Sequence, residues 1–186
     1  MKALTLKHPW PFAVAFLGKD VENREWDDQL AERLGLPYRL GEQIAIHGGC
    51  VPKRGRNKAW KEFMGDLAVI RCLLDGQLPS QALTYLHDQA QSGPLLPEHF
   101  IMPGVVAVTA LTHSTRNSRS EWAAPGQLHL LLSNTVALAE PVQVRGDRGF
   151  WELPEVIEEE VQRQMLAWSQ HQIPPETGRN GASWLG

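Results

Sequence analysis

Apolar and polar positions alternate through residues 2 to 7, KALTLK, with Leu4 and Leu6 on one side and Thr5 and Lys7 on the other. That is the period of a half-buried strand. The next run, HPWPFAVAFLG, has no polar face: Pro9 and Pro11 suit the first turn of a helix, Phe12 to Leu17 are apolar all round, and Gly18 supplies the left-handed residue that ends helices. A short helix of this kind must be buried, here plugging one end of a sheet or barrel. From Val21 the period returns to two, so Glu22, Arg24 and Trp26 project to one side and Val21, Asn23 and Glu25 to the other. GEQIAIHGG, residues 41 to 49, reads as another strand ending in a turn, with Ile44 and Ile46 on one face and Ala45 and His47 on the other.

Residues 58 to 102 change the rhythm. Trp60, Phe63, Met64, Leu67, Ile70, Leu73 and Leu74 recur at helical spacing up to Asp75-Gly76, and Leu83, Leu86 and Ala90 mark a shorter helix starting near Ser80. A Gly/Pro-rich loop, SGPLLPEHFIMPG, closes this helical insertion. Three strands follow at 104 to 113, 127 to 133 and 135 to 146, and Pro141 in the last implies an edge or a bulge. GFWELPEVIEEEVQRQMLAWSQ then runs from aromatics into a helix, with Glu155 and Glu158 at its positive end and Ile157, Val161, Met165 and Trp168 along one stripe. The last stretch, PPETGRNGASWLG, reads as irregular. These elements predict an α+β domain: a small β-barrel of five to six strands, strongly curved, with surrounding helices.

Length and composition fit this picture. A chain of 186 residues suits one domain, and 42% hydrophobic with 21% charged residues is ordinary for a globular protein. The sequence shows neither a run of 18 apolar residues nor a signal-peptide pattern, so the expectation is a cytoplasmic protein with no membrane partner. Cys50 and Cys72 form no framework and read as free buried thiols. The net charge of −3 argues against a general nucleic-acid binder, but its distribution is uneven. Residues 53 to 61, KRGRNKAWK, hold Lys53, Arg54, Arg56, Lys58 and Lys61 without an acid, a solvated loop or a phosphate-binding one.

Candidate chemistry is sparse. The seven histidines show no metal-ligand spacing, and no phosphate loop, dinucleotide fingerprint or nucleophile elbow occurs, so no metal or cofactor is expected. Cys50 with His47 nearby is a conceivable nucleophile, though an inert thiol reads better. Lys19, Glu22, Arg24 and Trp26 remain as the strongest group. They fit either an exposed strand whose ion pairs contribute at most about 1 kcal/mol each, or a site where an indole stacks on a planar heterocycle while Arg and Glu meet its edge or phosphate.

LTLKHPWPFAVAFLGKDVENREW resembles the opening of the ASCH domain, the activating-signal-cointegrator homology family of the PUA-like superfamily. The family's K-x-x-E-x-R core matches Lys19, Glu22 and Arg24; IAIHGG, GVVAVTAL and LSNTVALAEPVQVRGDRGFWELP resemble its later strands. The resemblance covers residues 1 to 57 and 104 to 154, which makes 1–154 the domain, 58–102 its insertion and 155–186 a C-terminal helix and tail packed on it. It implies a PUA-like barrel with a cleft between the first helix and the sheet, the apolar helix forming the floor and KDVENREW the polar wall.

Two functions follow from it. The first is a nucleic-acid-binding module taking single-stranded RNA, other nucleic acid or a modified nucleobase, with Trp10 or Trp26 stacking, Glu22 and Arg24 fixing the edge or phosphate, and Lys53, Arg54 and Arg56 holding the backbone; His8 and His47 complete the binding set. The second is a metal-independent hydrolase of a nucleoside or RNA, resembling the family's N4-acylcytidine amidohydrolases or its ribonucleases, with Lys19 and Glu22 catalytic. The small amidohydrolases have Thr where this chain has Glu22. A protein-interaction adaptor using the inserted helices is a third reading.

Overall fold

A computed structural model describes residues 1–36, 39–91 and 93–172; the irregular tail expected from the sequence lies outside these residues. Strand β1 (Lys2–Leu6) leads into helix α1 (Trp10–Phe16), whose side chains from Pro11 to Phe16 are all buried. Gly18, at φ +71°, turns the chain into β2 (Val21–Arg24), because the left-handed conformation is strained for any residue with a Cβ. Then come α2 (Asp28–Arg33), β3 (Gln43–Gly48), α3 (Lys58–Leu73) and α4 (Ser80–Ala90). A 3₁₀ turn (Pro97–Phe100), β4 (Gly104–Thr115), β5 (Leu128–Val142), β6 (Phe150–Glu152) and α5 (Glu155–Gln172) complete the fold.

The strands form one six-stranded sheet in the order β2-β5-β4-β3-β1-β6. Neighbours are antiparallel except β1 and β3, whose parallel pairing requires the crossover that α1, β2 and α2 occupy. The sheet curls into a half-barrel, open between its edge strands β2 and β6. Side chains bridge that seam: Arg24 Nη2 donates to Thr5 O at 3.0 Å, and the Trp26 ring meets Phe150 edge-on at 5.9 Å.

Alternation along β1 and β3 divides the core in two. Leu4, Leu6, Ile44 and Ile46 join α1 in the larger cluster, while Ala3 and Ala45 join Val161 of α5 in the smaller one. The helical insertion closes over α1: Phe16 stacks on Tyr85 of α4 at 4.5 Å, and Phe12 meets Phe100 at 4.9 Å. Gly48 is needed where the chain leaves the insertion, since a Cβ there would lie 1.8 Å from the Met102 carbonyl oxygen.

Several expectations require correction. The two strands expected at 127–133 and 135–146 are one strand, because Asn134 adopts φ +50° within a bulge rather than making a turn. The sixth strand is instead Phe150–Glu152, in residues that periodicity read as the approach to a helix and that only the resemblance included in a block of later strands; it is only three residues long, too short to show alternation. Helix α2 was not foreseen, although Asp27 caps it by accepting from Leu30 N at 2.7 Å. Both cysteines are exposed rather than buried. Trp168 is also exposed, while Val161 is buried and Ile157 and Met165 pack against it. Pro141, by contrast, falls where the reading of an edge or bulge put it, in an irregularity of the β4–β5 register between Ala137 and Val142; beside it Gln164 of α5 accepts from Glu140 N at 3.1 Å and donates to Glu140 O at 3.2 Å. Among the described residues no helix is long and apolar enough to cross a membrane.

Candidate functional site

Gly18 ends α1 and sends the chain back beside it, which carries Lys19 under the helix that bears Trp10. Lys19 is 2% exposed and Glu22 7%. The ammonium donates to Val21 O and to Glu22 Oε2, the latter at 3.0 Å, and lies 5.4 Å from the centre of the Trp10 ring. The second carboxylate oxygen, Oε1, faces Arg24 Nη2 at 3.3 Å. This is a buried ion pair, not the exposed one considered from the sequence, and the difference reverses the energetic argument. A buried charge that loses its partner costs several kcal/mol, whereas an exposed pair is worth about 1 kcal/mol or less.

Lys19 and Glu22 line a cleft of about 470 Å³, with Trp10 from α1, Asp66, Val69 and Leu73 from α3, and residues 121 to 125 and Gln127 from the loop before β5. Its size falls in the range of small-ligand pockets, roughly 300–1,000 Å³. The loop is held by β2. Asn23 Nδ2 donates to Trp122 O at 2.8 Å, Asn23 Oδ1 accepts from Ala124 N at 3.0 Å, and Ser120 donates to Asp20 Oδ1 at 2.5 Å. His129 reinforces it from beneath, accepting from Ser118 N at 3.2 Å through Nδ1 and donating to Ala124 O at 2.8 Å through Nε2. Two tryptophans, Trp10 and Trp122, therefore line the cleft from independent elements.

Asp66 is half-buried on α3, and burial pushes its carboxyl above the ordinary aspartate range; the Trp10 indole and Lys7 oppose that rise. Among the described residues neither Asp66 nor Glu121 forms an ion pair.

The remaining residues singled out from the sequence lie elsewhere. Arg24 sits behind Glu22, with its guanidinium 5.4 Å from the centre of the Trp26 ring; both side chains serve the β2–β6 seam and neither lines the cleft. His8 accepts from Met102 N at 3.3 Å and donates to Gly49 O at 3.1 Å, joining the start of α1 to the end of the insertion. His47 donates to Val144 O at 3.0 Å and accepts from the Thr5 hydroxyl at 3.2 Å, while that hydroxyl accepts from the Trp151 indole at 3.0 Å. Both ring nitrogens of His47 are thus engaged away from Cys50. Burial lowers the pKa of both imidazoles. Lys53, Arg54 and Arg56 lie on the exposed loop before α3, outside the cleft, and Arg54 meets Glu98 at 3.3 Å. Among the described residues no cluster of metal-ligating side chains occurs.

Asn23, Asp66, Glu121 and Trp122 were not singled out from the sequence. Trp122 carried one available signal, the one bulky aromatic in a turn-rich loop of small and polar residues, SRSEWAAPGQ. Comparison with known proteins assigns no family: no family model matches the sequence, and no curated protein matches it.

Proposed function

We propose that the chain is a base-binding module of the ASCH type on a PUA-like half-barrel, taking a nucleobase of single-stranded RNA or a modified nucleoside in the Trp10/Trp122 cleft. The carrying observation is the buried Lys19–Glu22 pair set in the wall of a ligand-sized cleft that two tryptophans also line. Flat apolar rings favour stacking on any base, and the Glu22 carboxylate, held between Lys19 and Arg24, offers an acceptor to a base edge. The ordered sequence blocks, the curled sheet and the buried first helix support the family reading. Arg24 contributes by holding Glu22 from behind, and the basic loop at Lys53, Arg54 and Arg56 is the place for flanking phosphates.

The hydrolase reading has one observation in its favour. Asp66, a carboxyl with a raised pKa in the same cleft as Lys19, suits proton donation to a leaving group. A panel of nucleosides, modified nucleosides including N4-acetylcytidine, and short RNA and DNA oligomers separates the two, read by tryptophan quenching and by chromatography. Quenching without product is expected, and is lost or weakened in Glu22→Gln. Turnover that requires Lys19 favours the hydrolase, and neither quenching nor product overturns the proposal.

A further inference from the structure

The charges around the cleft do not suit an anionic ligand. Its described lining residues include one cation, Lys19, against three carboxylates, Glu22, Asp66 and Glu121. Lys19 is already committed to Glu22 and Val21 O, and Arg24 approaches Glu22 from outside the cleft. Counting Arg24 as well, two cations meet three carboxylates. The nearby Lys7 is largely solvated, 3.8 Å from Glu62. Asp66 on α3, which the Trp10 indole also contacts, and Glu121 on the opposing loop therefore bring carboxylates to the cleft from two elements, and Trp122 brings to it an aromatic ring that no described cation occupies, whereas the Lys19 ammonium lies over Trp10.

We propose that the cleft selects a flat organic cation, that is, a nucleobase carrying a fixed positive charge through ring alkylation, over its neutral parent. This rests on the base-binding reading above and specifies the chemistry of the base. Aromatic faces attract a desolvated cation through their quadrupole, and carboxylates at the rim add Coulombic attraction that a neutral ring does not feel. Burial raises the pKa of Asp66 against the opposing pull of the Trp10 indole and Lys7, so a cation bound beside it would favour its charged form. A phosphate would meet Asp66 and Glu121, so the sugar-phosphate chain of an oligomer must leave the cleft rather than fill it.

Calorimetric titration of the full chain with matched pairs tests this: guanosine against 7-methylguanosine, adenosine against 1-methyladenosine, with 1-methylnicotinamide as a flat cation that is not a nucleoside. The alkylated member of each pair is expected to bind about tenfold more tightly or better, and the gap to narrow in Glu121→Gln, whose exposed side chain makes an effect on folding small. Equal affinities within a pair, or preference for the neutral member, overturn the cation selectivity and leave base binding standing. Binding of 1-methylnicotinamide that depends on Glu121, with no nucleoside bound, supports the selectivity and overturns the base-binding reading. Absence of binding by every probe overturns both.

Discussion

Glu22 holds two cations and Lys19 one carboxylate, so the two residues are not equivalent to remove. Glu22→Ala leaves the Lys19 ammonium buried beside a backbone carbonyl, and breaking a buried pair in this way costs about 3–5 kcal/mol. Lys19→Met leaves Glu22 with Arg24 at 3.3 Å and supplies an apolar stem of similar length, so it costs less. Urea unfolding should place the midpoints in the order native, Lys19→Met, Glu22→Ala; midpoints for both variants close to the native one would show that the pair is solvated, and a lower midpoint for Lys19→Met than for Glu22→Ala would show that Arg24 does not hold Glu22. His8 and His47 add a pH dependence. Burial depresses both folded-state values below the usual histidine value of about 6.5, so below that pH the unfolded chain binds more protons. Stability present above pH 6.5 is lost as pH falls through the lowered folded-state values. The urea midpoint should decline between pH 7 and pH 5, and decline less steeply in His8→Asn whatever that variant's stability at pH 7. An identical slope would mean that His8 does not titrate with unfolding.

Within β2, alternate side chains do different work: Glu22 lines the cleft and Arg24 ties the seam, while Asn23 holds the loop that carries Trp122. Asn23→Ala removes two hydrogen bonds to that loop, worth about 1–3 kcal/mol together. Its sharper effect should be local: faster amide exchange at Ala124 and weaker ligand binding, with exchange in β4 unchanged. Unaltered exchange at Ala124 would show that the loop holds itself. Most of these elements were legible in the sequence because their periods are clean. KALTLK alternates, PFAVAFL has no polar side, and the spacing of Phe63 and Ile70 is helical. Failures came where a local signal has two meanings. Asn134 marks a turn or a bulge, and only the register with β4 decides between them. The cleft was half legible. Lys19, Glu22 and Trp10 lie within 13 residues of one another, whereas Asp66 and Trp122 reach it through long-range packing that no local pattern encodes.

Taken whole, the chain places a ligand-sized cleft on one side of a half-barrel and keeps its basic loop outside that cleft. Two binding terms should therefore separate. Free uncharged nucleosides should bind with little salt dependence. A short single-stranded RNA should show a salt slope that falls by about 2 when Lys53, Arg54 and Arg56 are replaced by Ser, at about 0.7 per lost phosphate contact. An unchanged slope would remove the loop from the interface. The base-binding claim itself is tested most directly by the indole N–H resonances of the seven tryptophans during titration with the nucleoside that quenches best. Trp10 and Trp122 line the cleft, whereas Trp26 packs on Phe150 and Trp151 donates to Thr5. The Trp10 and Trp122 signals should move together and saturate while those of Trp26 and Trp151 stay in place. Saturable shifts confined to Trp26 or Trp151, or no saturable shift at all, would contradict it.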